Sequence, residues 1–303
     1  MRRAALAVAA VLALAACGGS ERPASTARGD DAARAPLRIG TKNFPEQFLL
    51  GELYRQALEA KGFAVELKTN IGSSEIIHRA LTDGALDMYP EYVGVLLSEV
   101  ANVRTRPRSP RAAYRLAQEF EERNGYTLLD MTPFSDSNAL AVTPAYARRH
   151  HVRGIADLRK VPGTVVIGAP PEFRTRFEGL VGLDQRYGLR NARARALAIG
   201  RQYDALDSGR VDAAAVFTTD GQLAGRRYVL LDDPRGVFGT QHAAPIISRR
   251  VLRERGPRLR AVIDAVSRRL TASAMRKMNA AMALDGRSPA AVAGAFLRDT
   301  GLT

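Results

Sequence analysis

Three times between Leu37 and Val100 the chain passes from a short apolar strand through an abrupt turn into a helix, and this repetition restricts the fold more than any other feature. The clearest instance is Asp87-Met88-Tyr89-Pro90-Glu91-Tyr92-Val93-Gly94-Val95. Ahead of it, Leu81-Thr82-Asp83-Gly84 ends a helical pattern, and Ala85 to Tyr89 reads as a buried strand. Pro90 has no N–H for a sheet ladder, so it is expected to close the strand and open the turn. From Tyr92 to Val100 the apolar residues are spaced for a helix. Earlier, Leu37 to Gly40 opens a strand, and the turn Thr41 to Gln47 leads into a helix over Glu46 to Ala60, stopped at Lys61-Gly62. Phe63 to Thr69 is a second strand, followed by a helix with Ser73 or Ser74 as its N-cap. Strand, helix, strand, helix, strand is the pattern of a parallel α/β sheet. Ligands of such sheets bind beyond the carboxyl ends of the strands. The three turns therefore place Lys42, Ser73/Ser74 and Tyr92 on one sheet edge. On spacing alone, Tyr89 and Tyr92 serve equally well as core aromatics.

The second half repeats the theme. Ala139 to Thr143 is an apolar strand, and Val165 to Gly168 is another that enters Ala169-Pro170-Pro171-Glu172-Phe173, with Arg174 and Arg176 at the next sheet edge. Phe177 to Tyr187 reads as helix, Ala196 to Ile199 as strand, Tyr203 to Gly209 as a short helix. Val211 to Phe217 is a strand ending in Thr218-Thr219-Asp220, and Tyr228 to Leu231 is one more. Beyond Ser248 three helices are expected, over Pro257–Leu270, Ala272–Leu284 and Ala290–Thr300.

A chain of 303 residues has room for about two domains. Its 45 basic and 31 acidic residues give a formal charge of +14. The arginines are spread along helical segments and no nucleic-acid-binding signature accompanies them, so a solvated surface is expected and no nucleic-acid partner. No Gly-x-Ser-x-Gly, His-Glu-x-x-His or phosphate loop is present, and the four histidines have no metal-ligand spacing. Neither an enzyme nor a cofactor or metal site is expected.

The N-terminus carries a targeting signal. Arg2 and Arg3 precede the apolar run Ala4 to Leu14, which is too short to span a bilayer and reads as a secretory signal. Leu14-Ala15-Ala16-Cys17 resembles a bacterial lipobox. That resemblance implies cleavage before Cys17, lipidation of its sulfur, and a lipoprotein facing the periplasm or the cell exterior. Loss of residues 1–16 lowers the formal charge from +14 to +12. Residues 17–36 are small, polar and charged, and read as a flexible tether between lipid and folded body.

Thr41-Lys-Asn-Phe-Pro-Glu-Gln47, Ile71-Gly-Ser-Ser74 and Tyr89-Pro-Glu-Tyr-Val-Gly94 resemble the glycine betaine/choline/carnitine-type osmoprotectant-binding proteins of ABC transporters. The resemblance continues through Asn138-Ala-Leu-Ala-Val142, Pro171-Glu-Phe-Arg-Thr-Arg176, Tyr203-Asp-Ala-Leu206 and Phe217-Thr-Thr-Asp220, in order over Leu37 to Leu302. It implies a two-lobed periplasmic-binding-protein fold of type II with two chain crossovers and a ligand cleft between the lobes. Lobe 1 is expected over 37–139 and 243–303, lobe 2 over 140–242. It further implies a small quaternary-amine or zwitterionic ligand, an ABC permease with its ATPase as partners, and a monomer. A sensor module that binds the same solute is the alternative, against which stands the lack of a fused output domain.

Quaternary ammonium cannot be hydrogen-bonded; aromatic faces hold it by cation–π attraction. A carboxylate tail calls for Arg or Lys. The resemblance carries cage positions onto Tyr92, Tyr203 and Phe217, anion-binding positions onto Lys42 and Arg176, and further contacts onto Ser74 and Asn138. Three positions depart from the family pattern. Asn138 stands where Tyr is common, Val95 where a hydrogen-bonding Thr is common, and Phe217 where Tyr is common. Losing one ring and one donor costs on the order of 1–3 kcal/mol. The expected cage is incomplete, so either betaine binds weakly or the ligand is another cationic or zwitterionic solute.

Overall fold

The alternation of strand and helix resolves into two five-stranded sheets. The computed structural model describes residues 35–303 apart from 104–106, 108, 226 and 240, and omits the side chains of 224 and 225. The signal sequence, Cys17 and nearly all of the tether therefore lie outside the described residues.

In the first sheet β1 (Leu37–Gly40), β2 (Val65–Lys68) and β3 (Met88–Tyr92) are parallel and are joined by helices α1 (Pro45–Glu59) and α2 (Ser74–Thr82). Helix α3 (Val93–Val95) follows β3 and continues as a π-helical turn, Leu96–Val100; α4 (Pro110–Arg123) and β4 (Tyr126–Leu128) come next. The chain then crosses to a second sheet made of β5 (Asn138–Val142), β6 (Val165–Ala169), β7 (Ala192–Ala196), β8 (Ala213–Phe217) and β9 (Val229–Leu230). Its helices are α5 (Pro144–His150), α6 (Gly182–Tyr187) and α7 (Gln202–Asp207). It returns as β10 (Ala243–Ser248), which inserts between β3 and β4 of the first sheet. Helices α8 (Arg249–Arg255), α9 (Pro257–Arg269), α10 (Ala272–Ala283) and α11 (Pro289–Asp299) complete that lobe. The orders β2-β1-β3-β10-β4 and β7-β6-β8-β5-β9 match. In each, the strand that follows a crossover runs antiparallel to its neighbours.

The period-2 alternation of the strands divides the core by face. Met88 and Ile247 join one cluster of the first sheet, Tyr89 and Ile246 the other. In the second sheet Leu140 and Ala215 face one cluster, Ala141 and Val216 the other. Each sheet is thus buried on both sides, as near-continuous apolar strands require. Glycine permits one close approach between the lobes. A Cβ on Gly221 of lobe 2 would lie 2.4 Å from the Cα of Ala280 on α10.

Several local expectations are corrected. Pro90 does not close its strand: β3 runs through it to Tyr92. Strand β1 reaches β3 only at Met88, and on the other side Pro90 faces Pro245 of β10. Two opposed prolines fit a non-hydrogen-bonded pair of an antiparallel ladder, where no N–H is called for. The strand expected over Ala196 to Ile199 lies earlier, over Ala192–Ala196. It is an edge strand with alternating Arg, paired only to β6, so it carries no apolar run. Phe177 to Tyr187 is broken: Glu178 and Gly179 have non-helical backbone angles. Helix α8 was not anticipated. The boundary expected after Ala139 shifts, because Asn138 and Ala139 pair with Phe217 and Val216 in the second sheet.

One buried acid makes the fold sensitive to pH. Glu121 on α4 is fully buried, and neither carboxyl oxygen has a hydrogen-bond partner among the described residues. Burial, reinforced by the charge of Glu91, pushes its pKa from 4.5 to about 8. A raised pKa means that folding takes up a proton. The stabilisation is complete below the unfolded value and is lost as pH rises through the folded one. Glu121→Gln removes the ionisation, so its melting temperature relative to the parent is expected to climb by several degrees between pH 5 and pH 8. An equal offset at both pH values would show that Glu121 is not protonated in the fold.

Candidate ligand-binding cleft

The carboxyl ends of the parallel strands in the two sheets face one another across a cavity of about 90 Å³. From the first lobe it is lined by Lys42, Phe44, Ser74, Val95 and Glu99, and from the second by Asn138, Glu172, Arg176, Glu178 and Phe217. A neighbouring cavity of about 260 Å³ shares the walls Phe44 and Phe217 and adds Tyr203, Glu46, Asp136 and Asp220. Five of the seven expected ligand-binding residues therefore meet in the first cavity, and Tyr203 lines the second.

Tyr92 lines neither cavity. It ends β3, is 3% exposed, and donates its hydroxyl to Glu46 Oε1 at 2.7 Å. Its ring face is already covered by the Lys42 ammonium, 4.4 Å from the ring centre. The displacement follows from Pro90: with the strand extended two residues further, Tyr92 belongs to the core and not to the turn. Phe44 lies beside it, with ring centres 6.1 Å apart, and stacks on its other side against Phe217 at 5.4 Å and 15°. Phe44 belongs to the first lobe and Phe217 to the second, so this pair closes the gap between lobes and separates the two cavities. Tyr203 is 4% exposed, packs on Tyr228 at 4.8 Å, and donates to Asp220 Oδ2 at 2.7 Å. Burial raises the Tyr203 pKa further above its ordinary value, and raises that of Asp220 to about 6.

Both expected anion-binding cations are already paired. Lys42 is 4% exposed; its ammonium donates to Glu91 Oε1 at 2.5 Å and to Ser74 Oγ at 3.2 Å. Burial lowers its pKa, and the Glu91 charge opposes that shift. Arg176 of lobe 2 reaches across to Glu75 at 3.1 Å and Glu99 at 3.2 Å in lobe 1, with Glu172 at 3.9 Å. Burial pulls its pKa down, but these carboxylates, Glu99 foremost, raise it on balance.

Asn138 opens β5 where the first crossover enters lobe 2, and donates its amide to Glu178 Oε2 at 2.9 Å. Gln241, on the return crossover, donates to the same oxygen at 2.9 Å and accepts from the Val95 backbone N–H at 3.0 Å. Glu178 therefore ties both crossovers to the cleft.

Beneath the aromatic pair lies a buried acid network. Thr219 Oγ1 is 2.6 Å from Glu46 Oε2 and 2.7 Å from Asp136 Oδ1. Asn279 of α10 donates to the same Glu46 oxygen at 2.7 Å. A hydroxyl carries one proton, so it can donate to only one of the two carboxyls. The other must bring its own proton. Burial raises the pKa of Glu46, and burial together with the Glu46 charge raises that of Asp136 well above the usual range.

Phe44, Glu99, Glu178 and Gln241 were missed in the sequence. Phe44 lay inside the quoted Thr41–Gln47 turn, where the period pointed only to Lys42. For Glu178 the signal was weak, because Phe177 to Tyr187 reads as an unbroken helix.

The family model described as "Substrate binding domain of ABC-type glycine betaine transport system" matches residues 35–299. A glycine-betaine-binding protein of Pseudomonas aeruginosa is 32% identical over 274 residues, 87% of each chain. The glycine betaine-binding protein YehZ of Escherichia coli is 28% identical over 283 residues, 89% of this chain and 92% of its own. Among solved structures, a glycine betaine/carnitine/choline ABC transporter protein superposes with a TM-score of 0.71 at 26% identity, covering 88% of this chain and 99% of its own.

Proposed function

This chain belongs to the family of substrate-binding domains of ABC-type glycine betaine transport systems, and from that premise we propose that it is the lipid-anchored, extracytoplasmic receptor of an importer for quaternary-amine osmoprotectants. Glycine betaine, choline and their relatives are the solutes proposed. The reading rests on one observation above all: an aromatic ring from each lobe, Phe44 and Phe217, stacked where the two sheets face each other. A trimethylammonium group between them would gain two ring faces and touch both lobes at once. A ligand that contacts both lobes only when they are closed favours the closed state. That state is what a permease and its ATPase would recognise. Binding of this kind needs no catalytic base, and a monomer suffices. Phe217, Tyr203 and Asn138 are the proposed ligand-facing residues of lobe 2, and Phe44 and Ser74 those of lobe 1.

Thermal shift and titration calorimetry with betaines, choline, carnitine and ectoine test the reading. A raised melting temperature and saturable binding for at least one quaternary amine are expected; no response to any of them would contradict it. The anchor is tested separately by fractionating cells. The parent chain is expected with membranes and Cys17→Ala in the soluble fraction, whereas a soluble parent would remove the lipoprotein assignment.

A further inference from the structure

We infer that the cleft selects a ligand with positive charge and no carboxylate, a choline-like monocation in preference to a betaine-like zwitterion. This rests on the quaternary-amine reading above and narrows its ligand class.

The charges around the first cavity decide it. A zwitterion needs one free cation for its acid end. Lys42 is already neutralised by Glu91, with which it forms a pair whose side chains are 5% and 1% exposed, so it offers an incoming carboxylate a remaining N–H but no net charge. Separating a buried pair leaves one charge desolvated and uncompensated. Arg176 is held by Glu75 and Glu99, with Glu172 close by. Two cations thus face four carboxylates before Glu178 is considered. Glu178 adds a fifth, fixed in place by hydrogen bonds from Asn138, Gln241 and the Gly239 backbone N–H at 2.9–3.1 Å.

Uncharged donors of the lining, Ser74 and Gln202 among them, can bond a carboxylate but bring no positive charge to offset it. Val95 has no side-chain donor, and its backbone N–H is taken by Gln241. Ser74 accepts from Lys42 and keeps its own O–H, a donor without charge. On the far side of the aromatic pair the second cavity presents Asp220 and the Glu46–Asp136 pair. An incoming carboxylate would therefore add to the excess of carboxylates over cations around the first cavity, and a monocation would offset it. Discrimination by repulsion is a standard route to specificity. Asn138 contributes twice: it withholds a ring, and it orients the Glu178 carboxylate.

Choline and glycine betaine isolate the effect, because they share the trimethylammonium group and differ in a hydroxyl against a carboxylate. Calorimetry at pH 7 is expected to show choline binding at least tenfold more tightly. Glu99→Gln and, separately, the more exposed Glu75→Gln loosen the hold on Arg176. Each is expected to raise betaine affinity and shrink the preference, with circular dichroism confirming a parent-like fold. Betaine binding as tightly as choline or tighter in the parent protein would overturn the inference while leaving the quaternary-amine reading intact. Binding of neither would overturn the inference, and the quaternary-amine reading falls with it when carnitine and the other betaines also fail to bind.

Discussion

Phe217→Ala is expected to weaken quaternary-amine binding roughly tenfold or more, and the Phe44→Ala, Phe217→Ala double variant on the order of a hundredfold. Cation–π attraction to one desolvated ring is worth up to about 2 kcal/mol, and about 1.4 kcal/mol is a factor of ten in affinity. Phe217 ends β8, where its backbone pairs with Asn138 whatever its side chain, and it is only half buried. Its loss should leave the fold intact. Tyr92 provides the control. It is interior and its ring is occupied by Lys42, so Tyr92→Phe removes the hydrogen bond to Glu46 without touching the ligand. Its affinity is expected to match the parent's. Calorimetry checks both: unchanged affinity in Phe217→Ala would place the ligand elsewhere, and a large loss in Tyr92→Phe would restore Tyr92 to the site.

Glu46→Ala is expected to lower stability by about 3 kcal/mol at pH 5. It strips the Tyr92 hydroxyl, Thr219 and Asn279 of a shared buried acceptor, and each orphaned polar group costs about 1–3 kcal/mol, less than additively. A fall of about 5 °C in melting temperature follows for a chain of this size. Glu46→Gln separates charge from shape. In the parent, Glu46 and Asp136 both have raised pKa values because they are buried. Acids with raised values bind protons on folding, so the parent loses stability as pH rises above the ordinary carboxylate values of 3.8 and 4.5. Lys42 is the nearby cation, but it is bound to Glu91, and Asp220 adds a further negative charge. Glu46→Gln is therefore expected to flatten the decline of melting temperature between pH 5 and pH 8. A decline as steep as the parent's would mean that the network holds no proton on Glu46.

Much of this was legible in the sequence. The two-lobed α/β fold followed from strand–turn–helix units and the resemblance they carry. Lys42, Ser74, Arg176 and Phe217 reach one cavity because they lie at or just beyond the carboxyl ends of parallel strands, and Asn138 joins them by opening the antiparallel β5 opposite Phe217. What failed did so for physical reasons. Pro90 signalled a strand end, yet a second proline opposite made an interior position tolerable, and the two-residue extension moved Tyr92 into the core. The pairing of Lys42 and Arg176 with carboxylates was invisible because their partners come from separate elements: Glu91 from β3, Glu75 from α2, Glu99 from the turn after α3. The proton shared near Thr219 depends on residues from α1, the first crossover and the end of β8, which no local pattern joins.

The most direct test is a crystal structure grown with choline. The rings of Phe44 and Phe217 are expected to part from their 5.4 Å stack and to hold the trimethylammonium group between them, with Arg176 still on Glu75 and Glu99. Choline bound elsewhere, with the two rings still stacked, would contradict the account.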